Sequence, residues 1–128
     1  MSGQQKERPT TNGQTTADAD LQSFIHQVHA VRNRLGGELP MQNSLIALDI
    51  LNNVAMSHFK RQPLPVKSLM GSLPHSPSGL RYHYARLMDD GWINTEPHGE
   101  DGRVRLVKPS DRLIESYRNI FASCLAEG

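Results

Sequence analysis

The chain has 128 residues, 37% hydrophobic and 21% charged, which suits one domain with a modest core and excludes two independent domains. Its formal net charge of +1 is too small to indicate a nucleic-acid partner by itself, so any electrostatic argument must rest on where the charge sits. The single cysteine, Cys124, excludes an internal disulfide, and with no signal-peptide pattern or apolar run near about 18 residues the composition points to a soluble, cytoplasmic protein with no membrane partner.

Residues 1–19 are rich in Thr, Gln, Gly and charge and nearly devoid of apolar side chains, so burial cannot offset their ordering entropy. They are expected to form a disordered tail, leaving 20–126 as a single domain. From Asp20 the pattern changes to Leu21, Phe24, Ile25, Val28, Val31 and Leu35, a stripe at helical spacing. It starts at an Asp cap and ends at Gly36-Gly37, which predicts a helix of about four turns.

A second helix is predicted from about Gln42 to Phe59. Leu45, Leu48, Ile50, Leu51, Val54 and Met56 spread over much of its circumference, so it should be buried on most sides. A break over Arg61 to Pro65 leads into Val66, Leu69, Met70 and Leu73, a short apolar-spaced run.

The next helix carries the functional argument. Ser76-Pro77-Ser78 offers a hydroxyl N-cap followed by proline, a residue suited to the first helical turn. Leu80, Tyr84 and Leu87 then line one side, while Ser78, Arg81, Tyr82 and Ala85 fall on the other. One face packs and the opposite face is left to meet a partner. Gly91 stops the helix, and Trp92 and Ile93 return the chain to the core.

Ile93, Thr95, the turn-rich His98-Gly99-Glu100-Asp101-Gly102 and Val104-Arg105-Leu106-Val107 read as two short strands around Asp-Gly. Arg103 and Arg105 sit near the tip and edge of that hairpin. After it, Pro109-Ser110-Asp111 caps a last amphipathic helix carrying Leu113, Ile114, Tyr117, Ile120, Phe121 and Leu125. The outcome is a mainly α (α+β) chain in which a helix-turn-helix and a wing are flanked by N- and C-terminal helices.

This order resembles that of MarR-type winged helix-turn-helix transcription regulators over about Leu21 to Leu125. Val66 to Leu73 is similar to that family's first motif helix, and Ser76 to Leu87 to its recognition helix. Met88-Asp-Asp-Gly-Trp-Ile93 resembles the family's acidic-glycine-apolar exit, and Glu100 to Val107 its wing. The resemblance implies a recognition helix in the major groove, a wing arginine at the minor groove, and end helices that form a homodimer interface. Two departures stand out: Asp101-Gly102-Arg103 keeps only the outer two residues of the common Asp-Arg-Arg, and Pro109-Ser110 replaces the usual Leu-Thr. The chain also stops early, so the C-terminal dimerisation region is expected to be short.

From Lys60 to Lys108 there are eight Lys or Arg against five Asp or Glu, so the small basic excess lies in the candidate binding region. The candidate DNA-binding residues are Lys67, Ser76, Ser78, Gly79, Arg81, Tyr82, Arg86, Arg103 and Arg105. Arg81 suits a bidentate contact with guanine, Arg86 a phosphate, and Ser78 a phosphate together with first-turn backbone amides. Tyr82 has two readings of equal weight, stacking on sugar or a thymine methyl, or lying across the surface. The candidate dimer residues are Leu21, Phe24, Val28, Tyr117, Ile120 and Phe121, because the two terminal stripes exceed what one small domain can cover.

Other chemistries lack residues to carry them. His26 and His29 stand three apart, but a zinc site needs three or four close ligands and the one cysteine is far off in sequence. His75 lies near Ser76 and Ser78 without a carboxylate placed in sequence to orient it, and no phosphate-binding glycine loop is present, so neither an enzyme nor a resident cofactor is expected. Two readings remain: a sequence-specific double-stranded DNA regulator, repressor-like in outline, and the alternative of a winged helix serving as a protein-interaction module. A small-molecule effector between the dimer region and the motif is compatible with either, and the residues do not specify one.

Overall fold

The computed structural model describes residues 12–41, 44–100 and 102–127. The chain runs α1 (Asn12–Glu38), α2 (Leu45–Lys60), α3 (Val66–Ser72), α4 (Pro77–Asp89), β1 (Ile93–His98), β2 (Val104–Pro109) and α5 (Asp111–Glu127). The two strands pair antiparallel, with Ile93 opposite Pro109 at the base and His98 opposite Val104 at the tip. A bridge from Pro65 to Leu106 and the Val107 N–H donating to the Leu64 carbonyl at 2.8 Å dock the α2–α3 connector on the free side of β2.

The core is built where α2, the helix-turn-helix, the hairpin base and α5 converge. Ile50, Leu51, Leu69, Leu80, Ile93 and Leu113 are sealed from solvent there, with Leu87 and Trp92 beside them. At roughly 1.5–3 kcal/mol for each large apolar side chain fully buried, this cluster is the main force holding α4 in place.

The helix ends follow their local chemistry. Ser76 Oγ accepts the Gly79 N–H at 3.1 Å, and Pro77 occupies the first turn, as the sequence predicts. At the other end Gly91 takes φ 80°, the Trp92 N–H reaches the Leu87 carbonyl at 3.0 Å, and the Gly91 N–H reaches that of Met88 at 3.1 Å. This paired capping needs a left-handed residue, which glycine adopts without strain. Ser110 Oγ accepts the Leu113 N–H at 3.1 Å and starts α5.

Three expectations need correction. The tail expected over 1–19 is helical from Asn12 onward, and residues 1–11 lie outside those described. Ala17 to Asp20 are exposed, so over these four residues the extension rests on cheap propagation of an existing helix rather than on packing. Gly36-Gly37 does not end α1, which continues to Glu38. Two helical glycines cost about 1 kcal/mol each relative to alanine, and the burial of Leu39 and Met41 just beyond them offsets that cost.

The second helix begins at Leu45, where Ser44 Oγ accepts the Ala47 N–H, three residues later than its predicted start near Gln42. Along its middle it is covered on most sides, as expected, since no residue from Ile46 to Ala55 is exposed, while Leu45 at 68% and Met56 at 50% are. Ile50, Leu51 and Val54 are sealed completely, and the exposed Leu45 and Met56 flank that covered span. Among the described residues no helix is long and apolar enough to cross a membrane.

Candidate nucleic-acid interface

α4 lies across α2, and three contacts in register set its height. His75, in the turn before α4, donates from Nε2 to Asp49 Oδ2 at 2.6 Å. Gly79 approaches Ile46 so closely that an added Cβ would stand 2.9 Å from its Cδ1. His83 Nε2 lies 3.3 Å from Ser44 Oγ. Asp49, Ile46 and Ser44 on one segment thus meet His75, Gly79 and His83 on the other. The two histidines, of which the sequence offers only His75, as a failed catalytic group, are anchors for this helix. No local pattern reveals them, because their partners lie 26 and 39 residues away.

With its inner face fixed, α4 turns Ser78, Arg81, Tyr82 and Arg86 outward, all of them exposed. Arg81 makes no hydrogen bond or ion pair with any described residue, so its guanidinium fork is available to a partner. Arg86 donates from Nη1 to the Tyr82 hydroxyl at 3.0 Å, and its guanidinium carbon stands 5.8 Å from that ring's centre. Tyr82 therefore lies along the surface against Arg86 in this state. Pro77 has no amide hydrogen and the Gly79 and Leu80 amides are taken by Ser76, which leaves the Ser78 amide as the first-turn donor without an intrahelical acceptor.

Gly79 is half-buried and occupied with α2, so its place in the candidate list is corrected from contact residue to close-packing residue. Ser76 likewise spends its acceptor on the cap.

The other basic residues border a groove of about 990 Å³ between α3, α4 and the hairpin. Lys67 comes from α3, Arg103 from the hairpin tip and Arg105 from β2, with Tyr84 and Met88 on the α4 side. Arg105 donates to Thr95 Oγ1 from Nε at 3.2 Å and from Nη2 at 2.7 Å, which braces it across the two strands. Burial pushes the Tyr84 phenol above its ordinary range, with the nearby Arg105 charge pulling the other way. The hairpin turn passes through Gly99 at φ 89° and Gly102 at φ 67°, so a glycine in place of the arginine common in similar wings fits the left-handed backbone there.

The candidate dimer residues divide. Leu21, Phe24, Val28 and Phe121 are 51–65% exposed on α1 and α5. Ile120 is 5% exposed and belongs to the chain's own core. Tyr117 is half-buried, and its hydroxyl donates to Asn52 Oδ1 on α2. Both point inward because α5 must cover the domain on one side before it offers the other. Among the described residues no three His, Cys, Asp or Glu side chains gather into a metal site.

No protein-family model and no curated protein matches the sequence. Known structures match the fold. RV1404 from Mycobacterium tuberculosis superposes with a TM-score of 0.66 at 16% identity over 95% of this chain and 80% of that one. AbsC, a MarR family transcriptional regulator from Streptomyces coelicolor, gives 0.53 at 18% over 94% and 78%. Sco3205, another MarR family regulator from that organism, solved in complex with DNA, gives 0.52 at 20% over 94% and 74%. The fold is that of the MarR-type winged helix. In that frame α3 and α4 are the helix-turn-helix, β1 and β2 form the wing, and α1 and α5 are the flanking helices.

Proposed function

We propose that this chain is a sequence-specific double-stranded DNA-binding transcription regulator that works as a homodimer in the cytoplasm. The observation that carries the proposal is the placement of Arg81, exposed and without a partner on the outer face of a helix held on its inner face. The DNA complex of the similarly folded Sco3205 supports the same direction of reading.

In this account α4 enters the major groove. Arg81 offers two parallel donors to guanine O6 and N7, a match that a lysine point charge cannot make. Arg86, Lys67 and the first turn at Ser78 hold phosphates, which sets register and supplies salt-dependent affinity. The wing presents Arg103 at the minor groove, and Arg105 keeps the wing stiff through Thr95.

The exposed stripe of Leu21, Phe24 and Val28 with Phe121 is the surface on which a second copy would sit, giving two recognition helices related by a two-fold axis. Selection of bound duplexes from a random pool tests the proposal. A palindromic consensus with half-sites about one helical turn apart is the expected result. Loss of affinity should be steep as salt rises. Failure to enrich any duplex at low salt would direct attention to the protein-interaction reading.

A further inference from the structure

A second concave surface lies at the base of the wing, away from the face just described. It is a cavity of about 630 Å³ between the C-terminal end of α2, the connector after it and the outer strand β2. Three basic side chains border it, His58, Arg61 and Lys108, and none of the residues lining it is acidic. Arg61 and Lys108 have no ion pair with any described residue. Among the described residues Arg61 alone, apart from glycines, has a positive φ, at 57°. In that conformation its N–H and that of Gln62 cap the His58 and Ser57 carbonyls at 3.1 and 3.0 Å.

The rest of the lining is apolar. Leu106 and Val107 are buried beneath it, and Phe59, 58% exposed, stands at the side with His58 edge-on at 5.0 Å. An exposed phenyl ring beside proline faces and unpaired cations suits a flat organic anion better than an inorganic ion, which would leave the ring and floor in water. Two permanent positive charges, with a histidine beside them, favour a dianion over a monoanion.

The wing register separates this cavity from the DNA-facing tip. Lys108 pairs with Asn94, while the turn closes at His98 and Val104. Four residues of strand at about 3.3 Å each put roughly 13 Å between them.

We propose that this cavity binds a small organic dianion with a planar apolar body, of the chemical class of an aromatic phosphate monoester. The phosphate sits between Arg61 and Lys108, and the ring lies against Phe59. Such a ligand joins the α2–α3 connector to β2, the same two segments tied by the hydrogen bond from Val107 to Leu64. This site stands independently of the DNA reading.

Calorimetric titration of the full chain with phenyl phosphate, with inorganic phosphate and phenol as separate arms, tests the proposal. Saturable binding of phenyl phosphate, tighter than either arm, is the expected result. Arg61→Gly removes one cation at a position where glycine suits the backbone, so the variant should melt no lower than the parent without ligand. Arg61→Gly and Lys108→Gln should each weaken phenyl phosphate by at least about tenfold, the scale of a lost charge-assisted hydrogen bond. No saturable binding, equal binding of inorganic phosphate or phenol, or unchanged affinity in both variants would overturn it.

Discussion

Asp49 Oδ2 accepts a hydrogen bond from His75 Nε2 at 2.6 Å, joining α2 to the turn that launches α4. The side chains are 37% and 18% exposed, so water competes only in part for this pair. Removing one partner leaves the other partly desolvated, and His75→Ala should cost about 1–3 kcal/mol in denaturant unfolding. His75→Gln, which keeps a donor, should recover part of the loss. Equal stability of the parent and both variants would mean that the pair does not anchor the turn.

Gly79 gives a graded test of how closely α4 approaches α2. For alanine, the clash at 2.9 Å is with the end of the Ile46 side chain, which can turn aside, although the Ser76 cap oxygen at 3.0 Å is also crowded. Alanine also gains up to about 1 kcal/mol of helix propensity over glycine, so Gly79→Ala should change stability by less than about 1 kcal/mol. Gly79→Val has no such escape and should lose about 1–3 kcal/mol by overpacking. Chemical denaturation of the two variants decides it, and equal effects would contradict the close approach.

Arg112, in the first turn of α5, stands 3.8 Å from the centre of the Trp92 ring at the exit of α4. A cation over an indole contributes about 0.5–2 kcal/mol depending on its exposure. Arg112→Gln should lower stability within that range, and because Trp92 is the only tryptophan, its emission should shift in the folded variant. An unchanged spectrum would place the guanidinium elsewhere.

Burial pushes the Tyr117 phenol up to about 12 from its ordinary value of 10.0. Above pH 10 the unfolded chain loses this proton first, so the folded state binds more protons and stability falls as pH rises toward about 12. Below pH 10 the contribution is fully present. Tyr117→Phe should therefore lose some stability at neutral pH, through the missing bond to Asn52, and show a shallower decline in alkali. Parallel alkaline curves for parent and variant would show that the phenol is not protected.

α4 is the most legible part of the chain, because its signals are local. Ser76-Pro77 fixes its start, Gly91 its end, and the spacing of Leu80 and Leu87 its inner face. Periodicity names a face without naming what covers it, so the spacing that predicts dimer surface at Ile120 and Tyr117 does not show that they pack within the chain. The same limit hid the roles of His75, His83 and Gly79, whose partners Asp49, Ser44 and Ile46 are brought near only by the fold. In α1, glycine and polar composition suggested ends that helix propagation and the burial of Leu39 override.

The central claim is that α4 reads DNA through Arg81, and the most direct measurement is the affinity of Arg81→Ala and Arg86→Ala for a selected duplex and its single-base variants at physiological salt. Arg81→Ala should lose about 1–3 kcal/mol and relax preference at one base position. Arg86→Ala should instead weaken all duplexes alike and lower the salt slope by about one. Wild-type affinity and selectivity in both variants would contradict the account.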